Sequence, residues 1–181
     1  MPFIGLSKPA EQTLKPMPSV GDKVPASLWL KKGSINIVAF LRHTGCPFAE
    51  QMIKHLADLA VSYPNINVVA VSHGNKKVTL DWLKGFGLTS NLQTIFDEPR
   101  IQYGEWGVGY GTFKQFLNPM MTVNLIRLWG RGIRNREASG TRWQQQAVFL
   151  VDPEGGLMYR HIATHAGDVP MLTKRLLQLT L

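Results

Sequence analysis

Two short runs of branched apolar residues, Ser34 to Leu41 (SINIVAFL) and Asn65 to Ser72 (NINVVAVS), bracket a stretch whose apolar residues recur at helical spacing. Runs of this length fit strands buried on both faces. Between them, from Phe48 onward, Met52, Ile53, Leu56, Leu59 and Ala60 form a helical stripe. Strands alternating with helices demand a sheet covered on both faces.

The rest of the chain extends that pattern. Val78 to Phe86 reads as a helix with Leu80, Leu83 and Phe86 as its apolar positions and Gly87 placed to end it. Gln93 to Phe96 is a short strand closed by Asp97-Glu98-Pro99. Tyr103 to Gln146 is less regular: Gly104, Gly107, Gly109 and Gly111 predict a flexible loop, and Pro119 to Arg134 an amphipathic helix interrupted by Gly130 and Gly132. Ala147 to Val151 and Leu157 to Ala163 flank a turn at residues 152–156, which predicts an antiparallel pair. Asp168 is placed to cap a last helix, Pro170 to Leu179, carrying Leu172, Leu176, Leu177 and Leu179. The expected fold class is α/β, with a mixed central sheet flanked by helices and a helical insertion, about residues 103–146, before the last hairpin. Residues 1–19, with Pro2, Pro9, Pro16 and Pro18, read as an extended arm, and 20–181 as one domain.

Composition excludes several classes. The 181 residues suit one full core, and 44% hydrophobic against 18% charged is a globular balance. The single cysteine, Cys46, rules out an internal disulfide and a multi-cysteine zinc site. His161 and His165 fall on a strand end and a loop, with no carboxylate or cysteine spaced to complete a set, so neither a metal nor a cofactor is expected. Gly107-x-Gly109-x-Gly111 lacks the strand–turn–helix context of a nucleotide fingerprint. The net charge of +8 suits an anionic partner, and Arg127, Arg131 and Arg134 fall at helical spacing. One reading is a core-packed helix with a solvated basic side; the other is an anion-binding or membrane-surface lid over the cysteine pocket. No nucleic-acid motif is recognised. No apolar run reaches the ~18 residues of a membrane span, and Met1 to Val20 lacks a secretory pattern, so a cytoplasmic protein without an integral membrane segment is expected.

The chemistry centres on the turn Arg42-His43-Thr44-Gly45-Cys46-Pro47, between the C-terminal end of a predicted strand and the start of a predicted helix. Pro47 suits a first helical position. A helix start carries partial positive charge and unpaired N–H groups, which favour a thiolate over a thiol. Arg42 and His43 add positive charge. Against this stands the plainer reading of Cys46 as inert packing between strand and helix.

Arg42 to Glu50 (RHTGCPFAE) resembles the RHxGCPFC(R)E signature of the AhpC/TSA-like, or peroxiredoxin-like 2, family of the thioredoxin-fold superfamily. Val20-Gly21-Asp22-Lys23-Val24-Pro25 is similar to the segment that opens many peroxiredoxins. Gln146 to Asp152 with Gly155 to Tyr159 is similar to the family's late hairpin, and His165-Ala166-Gly167-Asp168 to the segment before its last helix. The resemblance implies a thioredoxin-like fold over residues 20–181 and a thiol oxidoreductase. The chain departs from the family at Ala49, where many members carry a second cysteine. It also has His43 and Ala39 where typical peroxiredoxins have Thr or Ser and Pro. Gln146 stands at the place corresponding to their late catalytic Arg, with Arg142 close by.

For a redox thiol, the expected assignment is Cys46 as nucleophile toward a peroxide and an external thiol as reductant. Arg42 would lower its pKa, His43 or Thr44 would donate a hydrogen bond, and Gln146, Arg142 and Trp106 would contact substrate. The plainer alternatives are a solvated Arg42, a His43 that caps the turn and a Gln146 that satisfies backbone. Two rival functions remain open at this point. One is a non-redox enzyme on the same fold acting on a small organic metabolite, with the insertion's Trp106, Tyr110, Phe113, Phe116 and Trp129 as aromatic material. The other is a catalytically silent binding module.

Overall fold

The computed structural model describes residues 9–86, 90–112, 119–134 and 136–179. Its strands are β1 (Asn36–Phe40), β2 (Asn67–Ser72), β3 (Leu92–Phe96), β4 (Ala147–Val151) and β5 (Leu157–Ile162). The helices are α1 (Pro47–Ser62), α2 (Lys76–Leu83, continued by a 3-10 turn to Phe86), α3 (Ile101–Glu105), α4 (Pro119–Gly130) and α5 (Leu172–Leu179). The five strands form one sheet in the order β3-β2-β1-β4-β5. β1, β2 and β3 run parallel, and β4 and β5 are antiparallel to their neighbours, so the sheet is mixed as expected.

Side chains alternate across the sheet. Ile37, Ala39, Val68, Ala70, Val148 and Leu150 meet α1 on one face, through Met52, Ile53 and Leu56. Val38, Phe40, Val69, Val71 and Phe149 face the other way onto Tyr103, Trp106 and Val108. Both faces are therefore dry, which is why the strands read as unbroken apolar runs.

Register gathers chemistry at one end of the sheet. Phe40, the last residue of β1, pairs with Val71 near the end of β2 and with Ala147 at the start of β4. Arg42, His73 and Gln146 thus leave the sheet at the same edge. Tyr103 ties this edge together: its hydroxyl lies 2.7 Å from the Leu41 carbonyl and 2.8 Å from the Val71 carbonyl, bridging the ends of two parallel strands.

Four expectations need correction. The loop predicted at Gly104, Gly107, Gly109 and Gly111 begins inside a helix, α3, which contains Gly104. Asp97 starts it by accepting from the N–H groups of Ile101 (2.9 Å) and Tyr103 (3.1 Å). Gly104 is required by the arm, because a Cβ there would stand 2.7 Å from the Thr13 carbonyl oxygen. α4 ends at Gly130, where Arg131 and Ile133 both donate to the Leu128 carbonyl and Gly132 takes φ +79°. Arg131 and Arg134 therefore lie beyond the helix rather than on its face. Asp168 does not cap α5; its carboxylate accepts from the backbone N–H and hydroxyl of Thr164 (2.8 Å each) and pairs with His161 at 3.0 Å. Trp106, expected at substrate, is fully buried among Phe40, Phe149 and Trp29 on the face away from α1. Gly87, Phe113 and Phe116 lie outside the described residues.

Tyr103→Phe keeps the ring packing and removes both carbonyl contacts. It should lower unfolding free energy by about 1–3 kcal/mol in urea titration without changing the slope; an unchanged midpoint would remove the bridge from the account.

Candidate active site

Cys46 is the N-cap residue of α1, with Pro47 behind it at the helix start and its own carbonyl accepting from Glu50 N–H at 3.0 Å. The turn before it is tight. Gly45 adopts φ +80°, and a Cβ there would overlap the Glu137 carbonyl oxygen. The glycine lets the insertion's last limb lie directly on the cysteine turn.

That limb is a strap. Arg136 N–H donates to the Gly45 carbonyl at 3.0 Å. Thr44 and Ser139 form an isolated antiparallel bridge, reinforced by the Thr44 hydroxyl donating to the Ser139 carbonyl at 3.3 Å. The Arg42 guanidinium donates to the Arg142 carbonyl at 3.0 Å. His73 Nε2 donates to the Thr141 carbonyl at 3.2 Å. Glu50, buried in the first turn of α1, accepts from Lys54 at 2.9 Å and faces Arg136 at 3.7 Å. Cys46 is consequently only 5% exposed.

Burial by itself pushes a thiol pKa up. At Cys46 this is outweighed by the Arg42 guanidinium, by a hydrogen bond and the charge of His43, and by the Ala49 N–H, and the pKa falls from 9.0 to about 6. At pH 7 that leaves about ten thiolates for each thiol. His43 is itself held: its Nδ1 lies 2.9 Å from the Thr44 carbonyl, and because a carbonyl can only accept, Nδ1 carries the hydrogen. The other ring nitrogen is left to serve the sulfur. Burial holds His73 neutral, with its pKa pushed down to about 3; the Thr141 carbonyl works against that shift, and the charges of His43, Arg100 and Arg42 reinforce it.

A narrow cleft opens beside the turn, lined by Arg42, Trp143, Gln144, Gln145, Gln146 and His165 among others, with room for about one water molecule. Gln146 is 1% exposed, and neither its amide nitrogen nor its amide oxygen has a hydrogen-bond partner. Leaving such a group unsatisfied costs about 1–3 kcal/mol.

The structure brings Cys46, Arg42, His43, Thr44 and Gln146 to one edge. Thr44 spends its one hydroxyl proton on Ser139, which makes it a fastener of the strap. Arg142 contributes its backbone carbonyl to Arg42. Trp106 is absent from the site. Glu50, His73 and the strap residues Ser139 and Thr141 were missed in the sequence. For Glu50 a signal existed: an acid in a helix's first turn with Lys54 four residues on. His73 carried one too, since it directly follows a buried strand's C-terminal end. Among the described residues no cluster of His, Cys, Asp and Glu could hold a metal ion, and no helix is long and apolar enough to cross a membrane.

The family model described as AhpC/TSA antioxidant enzyme matches residues 51–165, well over half the chain. The match begins after the cysteine turn, so it is independent of Cys46. Among solved structures the chain is similar to a peroxiredoxin-like protein from Aquifex aeolicus, at 15% identity and TM-score 0.66 over 94% of this chain and 91% of that one. It is also similar to a thiol peroxidase from Chromobacterium violaceum, at 13% identity and TM-score 0.62 over 94% and 92%. A mutant of peroxiredoxin 6 from Arenicola marina aligns at 16% identity and TM-score 0.60 over 90% and 74%. No curated protein matches the sequence. Identities this low carry the architecture alone. The chain belongs to the AhpC/TSA antioxidant enzyme family and has the thioredoxin-like fold of the peroxiredoxins.

Proposed function

We propose that this chain is a thiol peroxidase that works with a single cysteine and an external thiol reductant. The observation that carries the reading is the sulfur at the start of α1, buried yet with its pKa drawn down to about 6 by Arg42 and His43. The Cys46 thiolate attacks one peroxide oxygen. The O–O bond breaks, its electron pair leaves with the other oxygen, and that oxygen takes a proton and departs as water or an alcohol. Sulfur is left as the sulfenic acid. His43, its Nδ1 held on the Thr44 carbonyl, would relay that proton from solvent to the departing oxygen. Gln146 offers one donor and one acceptor to a peroxide, which is itself both.

The sequence holds no second cysteine, and Ala49 occupies the usual place of one. A disulfide can therefore form only with another molecule. One external thiol condenses with the sulfenic acid, releasing water, and a second displaces Cys46 as thiol. Trp106, one of the aromatic residues that a metabolite pocket would have drawn on, packs in the core.

Peroxide treatment followed by a sulfenate-trapping reagent should label the wild type at Cys46 at one equivalent and leave Cys46→Ser unlabelled. A folded wild type that resists labelling would reject the reading. Gln146→Leu, which keeps the thiolate, should raise the peroxide KM about tenfold or more, the loss of one or two hydrogen bonds, while alkylation of Cys46 proceeds at the wild-type rate. An unchanged KM would remove Gln146 from the substrate site.

A further inference from the structure

From Trp106 to Arg136 the sequence contains no Asp or Glu, while Arg127, Arg131, Arg134 and Arg136 cluster at its end. Within this stretch α4 turns Leu128 into the core, and Asn124 reaches the Gly167 carbonyl at 3.4 Å. Its opposite side carries Val123, Ile126 and Trp129, three residues apart and 42%, 60% and 44% exposed. Spacing of three keeps them on one side of a helix. Apolar positions that periodicity would assign to packing therefore face outward. Among the described residues, Arg127, Arg131 and Arg134 have no ion-pair partner, whereas Arg136 faces Glu50.

We propose that this outward face of α4, with the arginines that follow it, docks on an anionic phospholipid surface. An exposed Val–Ile–Trp stripe beside a cluster of arginines is the pattern of an interfacial helix, whose apolar residues enter the acyl boundary while cations meet the headgroups. A second copy of the chain is disfavoured, because a two-fold interface would set the same arginine cluster against itself. A protein partner of ordinary affinity needs about 800 Å² of complementary surface; one convex helical face with three apolar side chains offers little of that, and a bilayer demands no shape match. The same insertion lays its strap on Gly45 and Thr44, so docking would bring the cysteine edge toward the lipid.

The test is co-sedimentation of the full chain with vesicles of phosphatidylcholine, with and without phosphatidylserine. Binding should require phosphatidylserine and weaken with salt. It should fall about fivefold for each arginine removed in R127Q/R131Q/R134Q and at least tenfold in Ile126→Ser with Trp129→Ser. Circular dichroism and Cys46 alkylation should match the wild type in both variants, since all five side chains are exposed. Failure to bind, or equal binding to neutral vesicles, overturns the proposal. If I126S/W129S binds like the wild type and single-stranded RNA competes fully, the patch is a polyanion site and the lipid assignment falls. Neither result bears on the peroxidase reading, which sulfenate trapping tests in solution.

Discussion

The competition at one sulfur atom organises this molecule. Removing Cys46 from water favours the neutral thiol, and two neighbours supplied by the same turn, Arg42 and His43, reverse that preference. Neither neighbour is free to drift. Arg42 is anchored on the Arg142 carbonyl and His43 on the Thr44 carbonyl. The charge that favours a thiolate at Cys46 thus depends on backbone carbonyls being in the right place, and the strap and Gly45 put them there.

Topology explains why so few residues suffice. β1 and β2 run parallel and end together, and β4 begins at that same edge because it is antiparallel to β1. Arg42, His73 and Gln146 are far apart in sequence yet each lies within two residues of a strand terminus. The ligand-binding edge of an open α/β sheet is its carboxyl edge, and the late hairpin brings the Gln146 amide to it. Gln146 is buried at that edge with neither amide atom hydrogen-bonded.

Patterning made the sheet, α1 and the late hairpin legible, because buried strands and a one-sided helix leave different periods in the sequence. Site membership was legible where it followed from the turn itself: Arg42, His43 and Cys46 are neighbours in the chain. It failed where tertiary contact decides. Tryptophan type and loop position placed Trp106 at substrate, but which face of the sheet an insertion covers is not written in its composition. Gly104 read as a loop residue because its real reason, contact with the N-terminal arm at Thr13, is 91 residues away in the chain. The helical period over residues 119–134 does not say what its stripe faces, and Ile126 and Trp129 face outward. Asp168 looked like a cap, and its carboxylate had a nearer partner in Thr164.

The central claim is that Cys46 is a stabilised thiolate. It is tested most directly by the pH dependence of its alkylation rate in the folded wild type, with the thiolate's ultraviolet absorbance as a second readout. The folded-state pKa lies below the ordinary thiol value, so reactivity should already be at its plateau at pH 7 and fall by half as pH drops through about 6. A midpoint at ~8.5 or above, the range of an unperturbed or merely buried thiol, would contradict the account.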